Sequence, residues 1–361
     1  MNSRERLRRC FFYEEMDRPA VYSRRGFPGD DPTYDGLKEY LAEYSDLKYT
    51  WSSSRIVETF PAETHTEEYS EGYERLVTVL HTPEGDLTSV RLVSRKGQPD
   101  MDETFFIESR KDAEAYLSLP VPEITGNVSS FFEEEKNIGE RGIVDVSLGL
   151  NPAGTAASLA GTENFALLSV TDRDIIHELC ARKRDVILQR LECLIENNVG
   201  PFFSMLGQEY VAPPIHSPKD FRDFNFKYDR PIIERVHEAG GRMHIHCHGR
   251  IKTVLDAFLE METDVLHPFE APPMGDITPK EAKEKIRGRI CFEGNIQIAD
   301  MYEQTPEEIR EQTLALIHDV FDDSRGLIVC PSASPYLRGE GQTCFPQYKA
   351  MIDTVVNFRP S

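Results

Sequence analysis

The chain is short of positive charge. Its 361 residues hold 41 Lys+Arg against 62 Asp+Glu, a formal charge of −21. Phosphate backbones are gripped by a Lys/Arg surplus on one face, so this balance argues against a nucleic-acid partner. It argues equally against an anionic membrane surface. Long apolar runs are lacking too. The weakly charged stretch from Val146 to Val170 is interrupted by Asn151, Pro152, several glycines and Glu163, and is too polar to span a bilayer. The opening Met1–Arg9 has no apolar core of the signal-peptide kind. Cysteine is scattered: seven residues, an odd number, with no CxxC spacing. That pattern points away from a disulfide framework and towards reduced thiols in the cytoplasm. No internal repeat or low-complexity tract is present. With 39 % hydrophobic and 29 % charged residues, a folded core is expected.

What the chain does contain is alternation. Apolar runs at 142–149, 202–206, 242–247, 264–267, 289–293 and 326–330 read as strands. Helical patterns separate them, at 172–199, 217–239, 250–262 and 346–357. Thr278-Pro279-Lys280-Glu281 and Thr305-Pro306-Glu307-Glu308 each place a Thr cap, a Pro and an acid at the first helical turn. Thr171 and Asp174 suggest a similar start for the first helix. Six β/α units in series, with room upstream for two more strands, predict an α/β fold of the (β/α)8 TIM-barrel type. A doubly wound sheet is the alternative. Residues 73–95 read as a hairpin, so about 45–120 is expected to form a β-rich N-terminal insertion within one domain spanning 1–361.

In a barrel, functional groups lie just past the C-terminal ends of the strands. There the sequence places Glu209, the run His244-Ile245-His246-Cys247-His248, Glu270, Asn295 and Cys330. Residues i and i+2 of a strand share a face, so His246 and His248 can address one centre while Cys247 points away. Two imidazoles, a carboxylate and a thiol suit Zn2+. His246, His248, Glu270 and Cys330 are therefore the expected metal ligands, and Glu209 and Asn295 the expected substrate-orienting groups. The same side chains also have structural uses in cores, caps and loops. His216 and His237 are read as structural. Arg24 and Arg25 could meet an anion at the first strand end.

The opening MNSRERLRR…MDRPAVYSRRGFP resembles the uroporphyrinogen decarboxylase superfamily, as do GQEYVAPPIHSPKDF, HEAGGRMHIHCHG, RICFEGNIQ and LIVCPSASPY. The resemblance covers about 1–30 and 140–355. It implies a (β/α)8 barrel, often paired as a homodimer. It implies one of two chemistries: cofactor-free decarboxylation of a tetrapyrrole, or zinc-dependent methyl transfer to or from a corrinoid. In the zinc branch a His-x-Cys-Gly motif and a later Cys bind the metal. Here His246 matches, His248 replaces the first Cys, and Ala333 holds the place of the later one, with Cys330 three residues earlier. Such a harder ligand set favours activating an oxygen leaving group over a thiol acceptor. The expectation is a methyltransferase that passes a methyl group from a small methoxylated substrate to cobalamin on a partner corrinoid protein. A porphyrinogen-type decarboxylase fits less well, because many substrate carboxylates call for a basic cleft. A barrel metallohydrolase and a non-catalytic binder are further alternatives.

Overall fold

The computed structural model describes residues 1–24, 26–57, 59–95 and 100–359. Arg25 lies outside them. Among the described residues the strands, in chain order, are β1 (Ala20–Val21), β2 (Leu47–Ser52), β3 (Ala62–Glu68), β4 (Tyr73–Leu80), β5 (Leu87–Ser94), β6 (Met101–Thr104), β7 (Gly142–Leu150), β8 (Phe202–Leu206), β9 (Arg242–His246), β10 (Val265–His267), β11 (Cys291–Ile296) and β12 (Leu327–Pro331). Eight of them form one curled sheet of parallel strands in the order β1-β12-β11-β10-β9-β8-β7-β2. Chain neighbours are sheet neighbours from β7 to β12, which is the order of a (β/α) barrel. Their apolar runs are buried almost end to end, as parallel strands covered by helices require.

The ladder itself is open between β1 and β2. One aspartate spans the gap: the Asp46 backbone N–H donates to the Val21 carbonyl at 2.9 Å, and the Val21 N–H donates to Asp46 Oδ2 at 2.9 Å. Asp46 also takes the guanidinium of Arg6 at 2.7 Å and of Arg18 at 3.1 Å. The helix Ser3–Phe11 carries Arg6, and its Phe11 ring meets Phe202 at the start of β8, 5.0 Å between centroids. The N-terminal helix thus covers the end of the sheet away from the functional groups. Gly142 shows how closely β2 and β7 approach: a Cβ there would lie 1.8 Å from the Leu47 carbonyl oxygen.

The capping boxes at Thr278/Glu281 and Thr305/Glu308 are present, and Ser217/Asp220 makes another. Thr171 does not open a helix. It ends the helix Pro152–Thr171, and Asp172 stands at the next helix start without a side-chain cap. The helix expected over 250–262 is confined to Leu255–Glu260. The hairpin is β4–β5, extended by β3 and β6 into a four-stranded antiparallel sheet. The insertion therefore starts after Ser52, since β2 belongs to the large sheet. Every residue of β3 is exposed, and Glu63, Glu67 and Glu68 put charge on that edge, which discourages pairing with another chain. Among the described residues no helix is long and apolar enough to cross a membrane.

Candidate active site at the strand ends

The register of the parallel strands assembles the site. His246 on β9 lies directly opposite His267 on β10, and Asn295 on β11 opposite Cys330 on β12. The facing imidazoles of His246 and His267 stack with centroids 4.9 Å apart and planes at 18°. Beyond the strand end His248 turns edge-on to His246, 4.5 Å between centroids. The i, i+2 expectation is thus met in space: His244, His246 and His248 follow one another on one side, while Cys247 is buried away.

Two groups of side chains result. On the rim, His248 Nδ1 lies 3.2 Å from Glu270 Oε1, and the Gly249 N–H donates to Glu270 Oε2 at 2.7 Å. Burial raises the Glu270 pKa, but the His248 contact and the Gly249 N–H outweigh it and hold the carboxyl below its ordinary range. Deeper in, Glu293 is completely buried. It meets His244 Nε2 at 2.9 Å and Lys48 Nζ at 3.5 Å, and accepts from the Cys330 thiol at 3.8 Å. Burial raises this carboxyl's pKa too, and Lys48 and His244 together bring it well below the usual value. Burial, then the Glu293 charge, pushes the Cys330 thiol well up.

Between the groups sits Arg24, with NH1 2.9 Å from His246 Nδ1 and 3.1 Å from His267 Nδ1. The two Nδ1 atoms are themselves 2.8 Å apart. Burial and the surrounding positive charge hold both imidazoles far below their ordinary pKa, so both are neutral. His267 Nε2 faces the Pro331 carbonyl at 3.2 Å, an acceptor only, so Nε2 carries the proton and Nδ1 presents its lone pair.

The expected ligands do not gather as one set. Among the described residues, the one group of three metal-capable side chains whose donor atoms all lie within 4.8 Å of one another is His267, Glu293 and Cys330. Thiol, imidazole and carboxylate form a zinc-type donor set, and all three are buried, so this cluster fits a metal ion. His246 borders it through His267, while His248 and Glu270 lie on the rim. His267 and Glu293 fall outside the expected set, which favours residues at and beyond the strand ends. Each is the last charged or imidazole residue of its own run, VLH and CFE, and strand parity was the signal that could have found them. His244 stands in the expected run but outside the expected ligands, and no local signal marks Lys48.

Asn295 donates from Nδ2 to the Phe269 carbonyl at 2.8 Å, which fixes the loop after β10. Glu209, in the turn Gln208–Val211, is half-buried, and its Oε2 has no hydrogen-bond partner. Burial pushes its carboxyl up. His237 pairs with Asp264 at 2.7 Å, and His216 packs edge-on against Phe165. A cavity of about 450 Å3 opens beside the cluster, lined by Tyr22, Arg24, Lys48, Asp145, Ser204 and His246 among others.

A curled parallel sheet with its polar groups at the strand ends is the arrangement of (β/α) enzymes. A family model for uroporphyrinogen decarboxylase (URO-D) matches residues 146–339, more than half of the chain. The chain belongs to the uroporphyrinogen decarboxylase family. Among solved structures, a methyltransferase from Methanosarcina mazei shares the fold, with 13 % identity, 98 % of each chain covered and a TM-score of 0.64. A B12-independent methionine synthase from a Shewanella species aligns over 90 % of this chain and 87 % of its own, with 11 % identity and a TM-score of 0.48. No curated protein matches the sequence significantly.

Proposed function

We propose that the protein is a methyltransferase that moves a methyl group from a small methoxylated compound to the corrinoid of a partner protein. The reading takes the curled sheet as a (β/α)8 barrel and its strand ends as the mouth. The observation that carries it is the cluster of His267, Glu293 and Cys330, whose donor atoms lie within 4.8 Å of one another beside the cavity. A cofactor-free decarboxylation has no use for such a donor set. The cavity, about 450 Å3, is of the size that takes a small molecule.

The balance of the reaction is simple. The methyl–oxygen bond breaks, Co(I) supplies the electron pair for the new carbon–cobalt bond, and the oxygen leaves with a proton. A zinc ion held by His267, Glu293 and Cys330 would act as a Lewis acid on that oxygen. The remaining duties fall to the chain. Lys48 and His244 hold Glu293 ionised. The Pro331 carbonyl fixes the tautomer that turns the His267 Nδ1 lone pair inward. The Arg24 guanidinium is placed to stabilise a departing oxyanion. Glu209, its pKa raised by burial, can supply the proton. A second placement of the metal, on His246, His248 and Glu270, is favoured by the 4.5 Å spacing of the two His rings.

Metal analysis after zinc loading separates the placements. Wild type is expected to hold roughly one zinc per chain, as a single closed site does. Glu293→Gln with Cys330→Ser should abolish it, and His246→Ala with His248→Ala should retain it. No metal in wild type overturns the mechanism. With metal present, formation of methylcobalamin from cob(I)alamin and methoxylated arenes is the activity assay; carbon dioxide release from a porphyrinogen instead would reassign the reaction.

A further inference from the structure

A second cavity lies outside the mouth, where the insertion meets the outer helices. It measures about 240 Å3 and is lined by Phe60, Tyr116, Leu159, Leu179, Arg182 and Lys183 among others. The place has a packing reason. Leu80, Leu87, Ala115 and Leu119 form one apolar cluster under the four-stranded sheet, and Ala156, Phe165 and Leu179 belong to another among the helices. Tyr116 borders both, yet the two clusters do not merge, and the slot is the space between them.

Its walls are apolar and its polar end is cationic. Lys183, on the helix Arg173–Glu196, has neither ion pair nor hydrogen bond among the described residues. Burial, with a further contribution from Arg190, lowers its pKa to about 8, and no carboxylate acts in the other direction. Arg182 beside it donates one N–H to the Pro120 carbonyl and has no acidic partner among the described residues. A partly desolvated ammonium without a counter-ion is costly, and an anion entering the slot would relieve that cost. The apolar walls specify the rest of the occupant. An apolar cavity of about 150 Å3 takes one benzene, so the larger slot has room for one ring and a carboxylate.

We propose that this slot is a second small-molecule site, for a compact apolar compound bearing one carboxylate, with Lys183 as its counter-ion. The site is independent of the metal cluster and of the reaction assigned to the mouth. Calorimetric titration of the full chain with benzoate, and with the neutral isostere benzamide, tests it. Saturable binding of benzoate in preference to benzamide is expected. Lys183→Met, which keeps the apolar stem, should weaken benzoate by roughly tenfold or more, the usual loss with one charge-assisted hydrogen bond. Leu159→Trp, which fills the slot from the neighbouring helix Pro152–Thr171, should block it, and melting curves confirm that both variants are folded. Arg24→Ala, at the mouth, should leave it unchanged. Benzoate that fails to bind wild type, binds no better than benzamide, survives Lys183→Met, or is lost on Arg24→Ala overturns the proposal.

Discussion

Glu293→Gln replaces the buried carboxylate of the metal-capable cluster by a neutral amide of the same size. Glu293 is fully buried and Lys48 nearly so, with Nζ 3.5 Å away. At an effective dielectric constant of about 20, the gross attraction at that distance is roughly 5 kcal/mol. Desolvation of both ions cancels much of it in the folded protein. The substitution, however, leaves the desolvation of Lys48 in place and removes only the attraction. Breaking a buried pair in this way costs about 3–5 kcal/mol. With an unfolding entropy of about 2.1 cal/mol/K per residue, the 361-residue chain should lose about 4–7 °C in melting temperature. Lys48→Met added to Glu293→Gln removes the stranded charge and should return most of the loss. The readout is built in. Trp51 is the only tryptophan, is fully buried on β2 three residues after Lys48, and donates from Nε1 to Ser130 Oγ at 2.9 Å. Urea unfolding followed by its fluorescence gives each corner of the double-mutant cycle. A single variant as stable as wild type, or a double variant no more stable than the single, refutes the pairing. Metal-free protein must be used, so that ligand loss and charge loss are not confused.

Two further perturbations probe the frame of the site. Asp46→Ala removes the acceptor that spans β1 and β2 and strands the half-buried Arg18, while Arg6 keeps Asp17 at 3.0 Å; a loss of about 3 kcal/mol is expected in the same urea assay, and a loss below about 1 kcal/mol would dismiss the seam as a structural tie. Asp229 is fully buried among Asn151 and Gln208, and burial pushes its carboxyl up to about 7 against the hydrogen bonds those amides donate. Because the folded pKa is raised above the unfolded value of about 3.9, its contribution to stability is complete below about pH 4 and is lost as pH rises through 7. Asp229→Asn should therefore flatten the decline in stability between pH 5 and 8, by about 2–3 kcal/mol. Melting curves across that range check it, and an unchanged slope would contradict the assignment.

The parts of the fold that could be read from sequence are those whose signals are local. The run FFSML is β8 residue for residue, and the strand expected at 326–330 is shifted by one, to Leu327–Pro331. The Thr-Pro-x-Glu starts hold because a cap and its reciprocal acid lie within one turn. The helix Pro152–Thr171 escaped because Ala, Gly and Ser leave no contrast between faces: it is buried on several sides, against the strand ends and the helix that follows. β1 has two residues, too few for any periodicity. Lys48 in LKYTWS reads as a solvated position, and only the fold brings Glu293 to it from 245 residues away. At the site, parity correctly aligned His246 with His248. Choosing partners by their place at or past the strand ends selected Glu270 with Cys330, whereas the folded strands bring the donor atoms of His267 and Glu293 to Cys330.

The structure also sharpens the meaning of the charge. A net −21 says nothing about where the positive charges go. Two of them, Arg24 and Lys48, line the mouth cavity, together with the acid Asp145. Lys48 is answered by Glu293. Arg24 contacts His246 and His267, both neutral, and meets no carboxylate among the described residues. One uncompensated guanidinium is a poor receptor for a molecule carrying many carboxylates, each of which needs its own cation or hydrogen-bond donors. It suits one oxyanion, either fixed on the substrate or formed as a methyl group leaves. On the proposed reading, the net acid of the chain favours a corrinoid protein with a basic docking face, and their association should then weaken with added salt.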